Sequence, residues 1–200
     1  MRYTKEQIKT AVIGKDYVWF SDEVKKGYDV NIVSVRNSDT GNDVTNLFDD
    51  IITITYKDEH GVDQYHEWSC TTDPGKKSMK EFSNPNGVAR LVEGQYRGSH
   101  EIRKHQGKYD ALCQKGELKV YRDANRDMIY DETKIQKGSG FGVNIHHAGQ
   151  DSTYVDTWSM GCTVFKRIKD FNDFMDICYK ARKIHGNSFT YTLIESKDIV

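Results

Sequence analysis

The sequence has neither a long apolar run nor an apolar segment near its start. None of its 200 residues lies in an uninterrupted apolar stretch long enough to cross a bilayer, and Met1–Gln7 is mostly polar. A secretory signal needs an apolar segment directly behind its first charged residues. We therefore expect a protein that is made in the cytoplasm without a signal peptide and does not insert into membranes.

Proline and net charge are also scarce. The chain has 2 Pro and 16 Gly, which excludes a collagen-like or proline-rich protein. Its 29 Lys and Arg residues face 30 Asp and Glu residues, for a net charge of −1. A balanced charge provides no basic field to attract nucleic acid, so no nucleic-acid partner is expected. Aromatic residues make up 12% of the chain, a content that disordered chains lack, so we expect a folded domain.

Cysteine is sparse and unpaired in the sequence. No two cysteines have the Cys-x-x-Cys spacing of a metal or redox motif. With no secretory signal, free thiols in a reducing compartment are the simplest expectation. The four cysteines are Cys70, Cys113, Cys162 and Cys178.

The apolar pattern predicts one β-rich α+β domain with helices at both ends. Residues 1–27 are predicted as a helical N-terminal extension and residues 28–200 as the core. Thr4 and Gln7 make a capping box for a helix to Ile13. Turn signals about every ten residues between Val88 and Tyr121 indicate a curled antiparallel sheet. The other predicted elements are strands at 28–35, 51–56, 64–69 and 188–194 and a helix at 170–184 capped by Asp170.

The densest cluster of reactive residue types lies between Gly142 and Cys162. A thiol is only a few per cent ionised at neutral pH, so a catalytic cysteine needs a nearby imidazole and N–H groups that face the oxyanion. Gly161 permits the sharp turn that would expose Cys162. His146 stands 16 residues upstream, after an apolar alternation typical of a strand. We expect neighbouring strands to bring the imidazole to the sulfur.

The pattern Ile145-His146, a gap, then Ser159-x-Gly161-Cys162 resembles the L,D-transpeptidase family of peptidoglycan enzymes. It is similar to a divergent branch encoded by bacteriophages, in which the motif reads Asn-Ile-His and then Trp-Ser-x-Gly-Cys. The segment Thr71-Thr72-Asp73-Pro74-Gly75 resembles the family's Thr-Pro-x-Gly segment. The resemblance covers residues 28–200, and its specific part is residues 143–165. It implies a β-rich catalytic sheet or barrel and cysteine acyl transfer on stem peptides, with no cofactor.

The resemblance implies a role for each motif residue. Cys162 matches the nucleophile and His146 the base that takes its proton, while the backbone carbonyl of His147 would orient the imidazole. Backbone N–H groups around Gly161 and Cys162 would form the oxyanion hole. Ser159 matches the hydroxyl residue of the motif.

Two positions and one spacing depart from the family pattern. Met160 stands where the family has histidine, and Val164 where it has an arginine two residues after the cysteine. Only 12 residues separate His146 from Ser159. These departures affect substrate recognition more than nucleophilic chemistry, so we expect stem-peptide hydrolysis rather than cross-linking. Such an enzyme would be a phage lytic or virion protein that reaches the cell wall after lysis, through a pore or within the virion.

Other interpretations of the same residues stay open. His146, His147 and Cys162 have the donor types of a three-ligand zinc site, and Cys162 alone is also consistent with a small core residue. A true L,D-transpeptidase, or a non-catalytic wall-binding or virion structural protein, would share the scaffold. A papain-like protease is disfavoured because there the cysteine precedes the histidine.

Three residues are candidate substrate contacts. Trp158 would stack on substrate beside the nucleophile turn, with a buried aromatic as the alternative. Tyr96 and Arg97 belong to a basic, aromatic stretch that would suit a peptide with free carboxylates. A solvated strand face explains the same stretch without a ligand.

The segment from Asp123 to Asp131 has the alternating oxygen ligands of a calcium loop. Met128 occupies the position that needs glycine, and Lys134 the position of the bidentate glutamate. A polar turn between strands explains these residues without a metal, so no metal is assigned.

Overall fold

β-branched and aromatic segments pair into a closed barrel with a smaller sheet beside it, in a computed structural model that describes residues 2–200. The strands are β1 (Asn31–Arg36), β2 (Asp50–Lys57), β3 (Asp63–Thr71), β4 (Val88–Leu91), β5 (Gly94–His105), β6 (Tyr109–Gln114), β7 (Leu118–Asp123), β8 (Ile135–Gly138), β9 (Ile145–His147), β10 (Thr163–Phe165) and β11 (Phe189–Glu195). The helices are α1 (Lys5–Gly14), α2 (Lys76–Lys80) and α3 (Ile168–His185), with 3-10 turns at Ser38–Thr40 and Ser196–Asp198.

The barrel strands follow the order β1-β11-β5-β6-β9-β10-β3-β2. Neighbouring strands are antiparallel except for β1 with β11 and β9 with β10, which run parallel. The predicted β-rich α+β class is therefore confirmed. The curled sheet predicted between Val88 and Tyr121 is divided, because β5 and β6 join the barrel while β4, β7 and β8 form a separate three-stranded sheet.

The two main predicted helices form, with corrected ends. The Thr4 hydroxyl accepts the Gln7 N–H at 3.2 Å and the Gln7 side chain accepts the Thr4 N–H at 3.1 Å, so the capping box is confirmed. α3 begins at Ile168, after Arg167, rather than at the predicted cap Asp170. Asp170 instead lies in the first turn, where a carboxylate favours the helix dipole. No helix among residues 2–200 is long and apolar enough to cross a membrane.

α3 packs its apolar face on the barrel core. The Phe174 ring lies 5.1 Å from Phe165 of β10 and 6.1 Å from Trp68 of β3, measured between ring centroids. β11 follows α3 and returns to the barrel beside β1. The strand predicted at 188–194 therefore forms as β11, after the C-terminal helix.

β1 lies mostly within the strand predicted at 28–35, and both of its faces are covered. All six of its residues are buried. Ile32 joins the barrel core, while Val33 and Val35 pack against Ile8 and Val12 of α1. The N-terminal helix thus covers the outer face of the barrel at β1.

A buried charge cluster ties β1 to the segment after β3. Asp73 Oδ1 lies 3.0 Å from Arg36 Nε and 2.9 Å from Arg90 Nε. Both arginines are almost completely buried, at 1% and 3% exposure. Burial raises the pKa of the Asp73 carboxyl, but the charges of the two arginines outweigh it and hold the pKa below its usual value. One ionised carboxylate therefore pairs with guanidinium groups from two different elements, and Glu132 supplies Arg90 with a second carboxylate at 2.6 Å.

We expect Asp73→Asn to lower the free energy of unfolding by about 3–5 kcal/mol, because it leaves buried positive charge uncompensated. Urea denaturation followed by fluorescence measures this loss. Asp63→Asn is the control, since Asp63 is half exposed and pairs with Lys5 and Lys57 at the surface, where such pairs contribute less than about 1 kcal/mol. Equal losses in the two variants would contradict the structural importance of the cluster.

Candidate functional site

The parallel pair β9–β10 places the candidate nucleophile and base on one face. Its register sets Val164 opposite His146. Since side chains alternate along a strand, Ile145 and Phe165 point into the barrel core while His146 and Val164 point outward. Cys162 precedes Val164 by two residues and therefore projects from the same outer face as His146.

The Cys162 thiol is held by backbone groups of the chain that enters β9. Its Sγ accepts the Asn144 N–H at 3.4 Å and donates to the Gly142 carbonyl at 3.3 Å. Cys162 is partly exposed, whereas the other three cysteines are buried. It is therefore the thiol that a reagent or substrate reaches most readily in the folded protein.

The turn before Cys162 requires glycine. Gly161 has φ of +130°, and a Cβ there would lie 1.9 Å from the carbonyl oxygen of Ala89 in β4. The buried Ser159 fixes the same turn, because its Oγ accepts the Gly161 N–H at 3.1 Å and donates to the Cys162 carbonyl at 2.8 Å. The Gly75 N–H in turn donates to the Ser159 carbonyl at 2.9 Å. Ser159 and Gly161 shape the turn that carries the thiol.

This arrangement corrects the expected oxyanion hole. The Gly161 N–H is already used by Ser159, so it does not face an incoming substrate. The Cys162 N–H has no protein acceptor among residues 2–200. The Cys162 N–H is therefore a backbone donor of this turn that the fold leaves available.

The His146 imidazole is oriented by the next residue of the chain. Its Nδ1 lies 3.1 Å from the His147 carbonyl, the contact that the family resemblance implied. A carbonyl only accepts, so Nδ1 carries the proton and Nε2 keeps a lone pair. Burial, and then the neighbouring His105, lower the pKa of His146 to about 3. His146 is thus neutral at physiological pH and has a nitrogen that can accept a proton.

His146 and Cys162 make no direct hydrogen bond among the described contacts of either residue. In the β9–β10 register they are diagonal neighbours, and strand spacing and rise put their Cα atoms roughly 8 Å apart. Desolvation raises the pKa of the Cys162 thiol to about 11, with Cys113 adding to the rise and the Asn144 N–H opposing it. The resting pair is a neutral thiol and a neutral imidazole, not the preformed ion pair that would make the thiol reactive at low pH.

His147 faces away from the thiol. Its ring lies 4.4 Å from Tyr109 and 5.1 Å from Phe171 of α3, between centroids, and its Nδ1 accepts the Gly149 N–H. Because His146 and His147 project to opposite faces of β9, the alternative zinc set with Cys162 does not converge. No group of three His, Cys, Asp or Glu side chains within residues 2–200 could hold a metal ion.

The predicted substrate contacts are dispersed. Trp158 is 45% exposed and packs over Gly149, in the loop after β9. Tyr96 is buried, and its hydroxyl donates to the Val92 carbonyl at 2.6 Å, so it is a core residue rather than a substrate contact. Arg97 lies over the Phe20 ring and lines a separate cleft. Of the three, only Trp158 lies beside the nucleophile turn.

Two residues of the site were given no role beside the base by sequence reasoning. His105, at the end of β5, stacks on His146 with 4.3 Å between ring centroids. The Asn144 side chain lies 3.1 Å from His105 Nδ1, and its backbone N–H reaches Cys162. Strand alternation puts Asn144 on the face of His146, two residues earlier, and would have identified it. His105 is brought in by β5–β6–β9 pairing, which no local pattern reveals.

The candidate calcium loop is occupied by its own side chains. The Asn125 amide donates to Asp127 at 2.9 Å and to Asp131 at 3.1 Å. The backbone N–H of Asp131 donates to Asp123 at 3.1 Å. These contacts are those of the polar turn that was the alternative interpretation.

Comparison of the chain with protein-family models, curated proteins and solved structures finds no match. The relation to L,D-transpeptidases therefore depends on the motif residues alone, and function has to be argued from the geometry of the site.

We expect Gly161→Ala to lower stability by about 2 kcal/mol or more, because the new Cβ meets the Ala89 backbone and the residue keeps an unfavourable φ. Thermal unfolding measures the effect. Gly140→Ala is the matched control, since no atom lies within 4 Å of a Cβ placed there, and it should change stability by less than about 0.5 kcal/mol. If the two variants unfold at the same temperature, the turn tolerates a side chain at position 161, and the inferred need for glycine there is wrong.

Iodoacetamide should label Cys162 in the folded protein before the other three cysteines, which are at most 2% exposed. Because the thiolate is the reactive form and the pKa is about 11, the rate should rise about tenfold per pH unit from pH 6.5 to 9.5. Peptide mass spectrometry at each pH measures the labelling of each thiol. A plateau near neutral pH would instead show a preformed thiolate, and equal labelling of all four would remove the argument for a special cysteine.

Proposed function

We propose that this protein is a cysteine acyl-transfer enzyme that hydrolyses peptidoglycan stem peptides. The observation that carries the proposal is the shared outer face of β9 and β10, which presents a partly exposed thiol and a neutral, backbone-oriented imidazole. A base must be unprotonated to act, and His146 is held in that state. The substrate class comes from the resemblance of residues 143–165 to L,D-transpeptidases.

The chemistry starts from a neutral pair. The Cys162 S–H turns from the Gly142 carbonyl and gives its proton to His146 Nε2 as sulfur attacks a peptide carbonyl carbon. The Cys162 N–H donates to the developing oxyanion. Collapse breaks the C–N bond, the leaving amine takes the proton from His146, and a thioester remains. Water, deprotonated by His146, then releases the acid and restores the thiol.

The surroundings of the site favour hydrolysis over cross-linking. Val164 is buried among Phe48, Ala148 and Val155, so no cationic group occupies the position at which the family has arginine. Met160 is 45% exposed and supplies no hydrogen-bond donor or acceptor of the strength of histidine. A transpeptidase must orient a second peptide amine against the thioester and exclude water. Without the arginine and the histidine of the family pattern, the site lacks two groups that would help to orient the second amine.

Incubation with purified muropeptides should yield new free termini and no new dimers, measured by mass spectrometry. Cys162→Ala should abolish the products, and His146→Ala should slow their formation by about 10²–10⁴-fold through loss of the general base. His60→Ala is the matched control, because His60 lies in the exposed β2–β3 turn and should leave the rate unchanged.

Three outcomes would contradict this proposal in different ways. Cys162-dependent dimers would return the protein to the transpeptidase class. Wall binding without turnover, in both the native chain and Cys162→Ala, would identify a non-catalytic wall-binding protein. Products that persist in Cys162→Ala would place the chemistry elsewhere in the molecule.

A further inference from the structure

The Asn144 side chain has a fixed orientation. Its Oδ1 accepts the backbone N–H of Gln114 at 2.9 Å, and a backbone N–H can only donate. The amide nitrogen of Asn144 must therefore face His105 Nδ1, which lies 3.1 Å away. It follows that Asn144 donates to His105, and that His105 Nδ1 carries a lone pair rather than a proton.

His105 is consequently held as the neutral tautomer with its proton on Nε2. Its ring is nearly parallel to that of His146, at 18° and 4.3 Å between centroids. Both side chains are buried, at 7% and 4% exposure. Two imidazolium ions stacked at this distance without water would repel each other strongly. A proton on either ring therefore opposes a proton on the other.

The other polar and titratable groups that face this pair of rings do not supply a counter-charge. Tyr109 of β6 lies 5.5 Å from the His105 ring and approaches His146 with its hydroxyl. Besides burial, the charges of His147 and Lys108 act on His105, and each disfavours a proton on it. No carboxylate contacts either ring among residues 2–200.

We propose that His105 and Asn144 are a positioning pair, which holds the His146 ring in the orientation that leaves its Nε2 lone pair available for the proton of Cys162. Asn144 connects both halves of the site, because its side chain holds His105 and its backbone N–H holds the Cys162 sulfur. Neither residue touches the reacting bond. The inference rests on the proposed function, in which His146 acts as the base.

The test follows the histidine rings directly. Two-dimensional ¹H–¹⁵N spectra of the imidazoles, recorded from pH 3 to 8, report the tautomer and the pKa of each histidine. In the native chain, His105 should show a protonated Nε2 and His146 a protonated Nδ1 at neutral pH. In His105→Phe, which keeps a stacked ring but removes the acceptor and the charge, the pKa of His146 should rise by about one unit.

Kinetics separate positioning from a merely structural role. In His105→Phe, kcat for muropeptide hydrolysis should fall about tenfold, because the ring stacked on His146 loses the Asn144 hydrogen bond that fixes it. KM should stay nearly unchanged, since His105 does not contact substrate. His105→Gln should recover most of the rate, because its side-chain oxygen can accept the Asn144 amide proton. His60→Gln is the control and should leave both the His146 titration and the rate unaltered.

The results distinguish this inference from the proposed function. An unchanged titration of His146 in a folded His105→Phe protein, or a His105 that carries its proton on Nδ1 in the native chain, would overturn the positioning pair. If the spectra show that His105→Phe does not fold, the tautomer of His105 in the native chain decides whether the positioning pair exists. If native protein turns over no muropeptide while the His146 titration shifts as expected, the proposed function fails and the structural pairing stands.

Discussion

The ion cluster of Asp73 with Arg36 and Arg90 is the constraint on which the site depends. Arg90 belongs to β4, and so does Ala89, whose carbonyl lies against Gly161 and whose N–H donates to the Met160 carbonyl. Asp73 belongs to the segment that ends at Gly75, whose N–H donates to the Ser159 carbonyl. Both backbone supports of the nucleophile turn are therefore fixed by the same carboxylate. Burying these charges costs desolvation free energy. An apolar core would not specify the direction of these two segments, whereas the ion pairs do.

The rest of the site is organised by backbone groups rather than by charge. His105, His146 and His147 each bond through Nδ1, to the Asn144 amide, to a carbonyl and to an N–H respectively. Each contact selects one neutral tautomer, so proton positions are set by the strands before any substrate arrives. A neutral thiol beside a neutral base is unreactive toward solutes in general. In the function proposed above, such a pair would generate the nucleophile only as bond formation begins.

Local sequence patterns predicted the local features of this structure. The Thr4–Gln7 capping box, the strands predicted at 51–56 and 64–69 and the helix predicted at 170–184 depend on neighbours within a few residues, and all form. The outward face shared by His146 and Cys162 also follows from strand alternation. The pairing of strands distant in sequence could not be read in this way. Sequence reasoning gave His105 no role beside the base and predicted Tyr96 as a substrate contact. The surroundings of both residues depend on which strands lie beside β5.

The parallel pairing of β1 with β11 joins residues 31–36 to residues 189–195. Nearly the whole chain must be synthesised before these edges can meet, so the barrel has a high contact order and closes late. Until then β1 presents an open edge of unpaired N–H and C=O groups, the kind of surface that promotes aggregation. β11 also carries Tyr191, whose hydroxyl lies 2.6 Å from Thr163, the residue after Cys162. β10 therefore gains its inner support only at the final step of folding, so a nascent or partly folded chain would lack an organised candidate site.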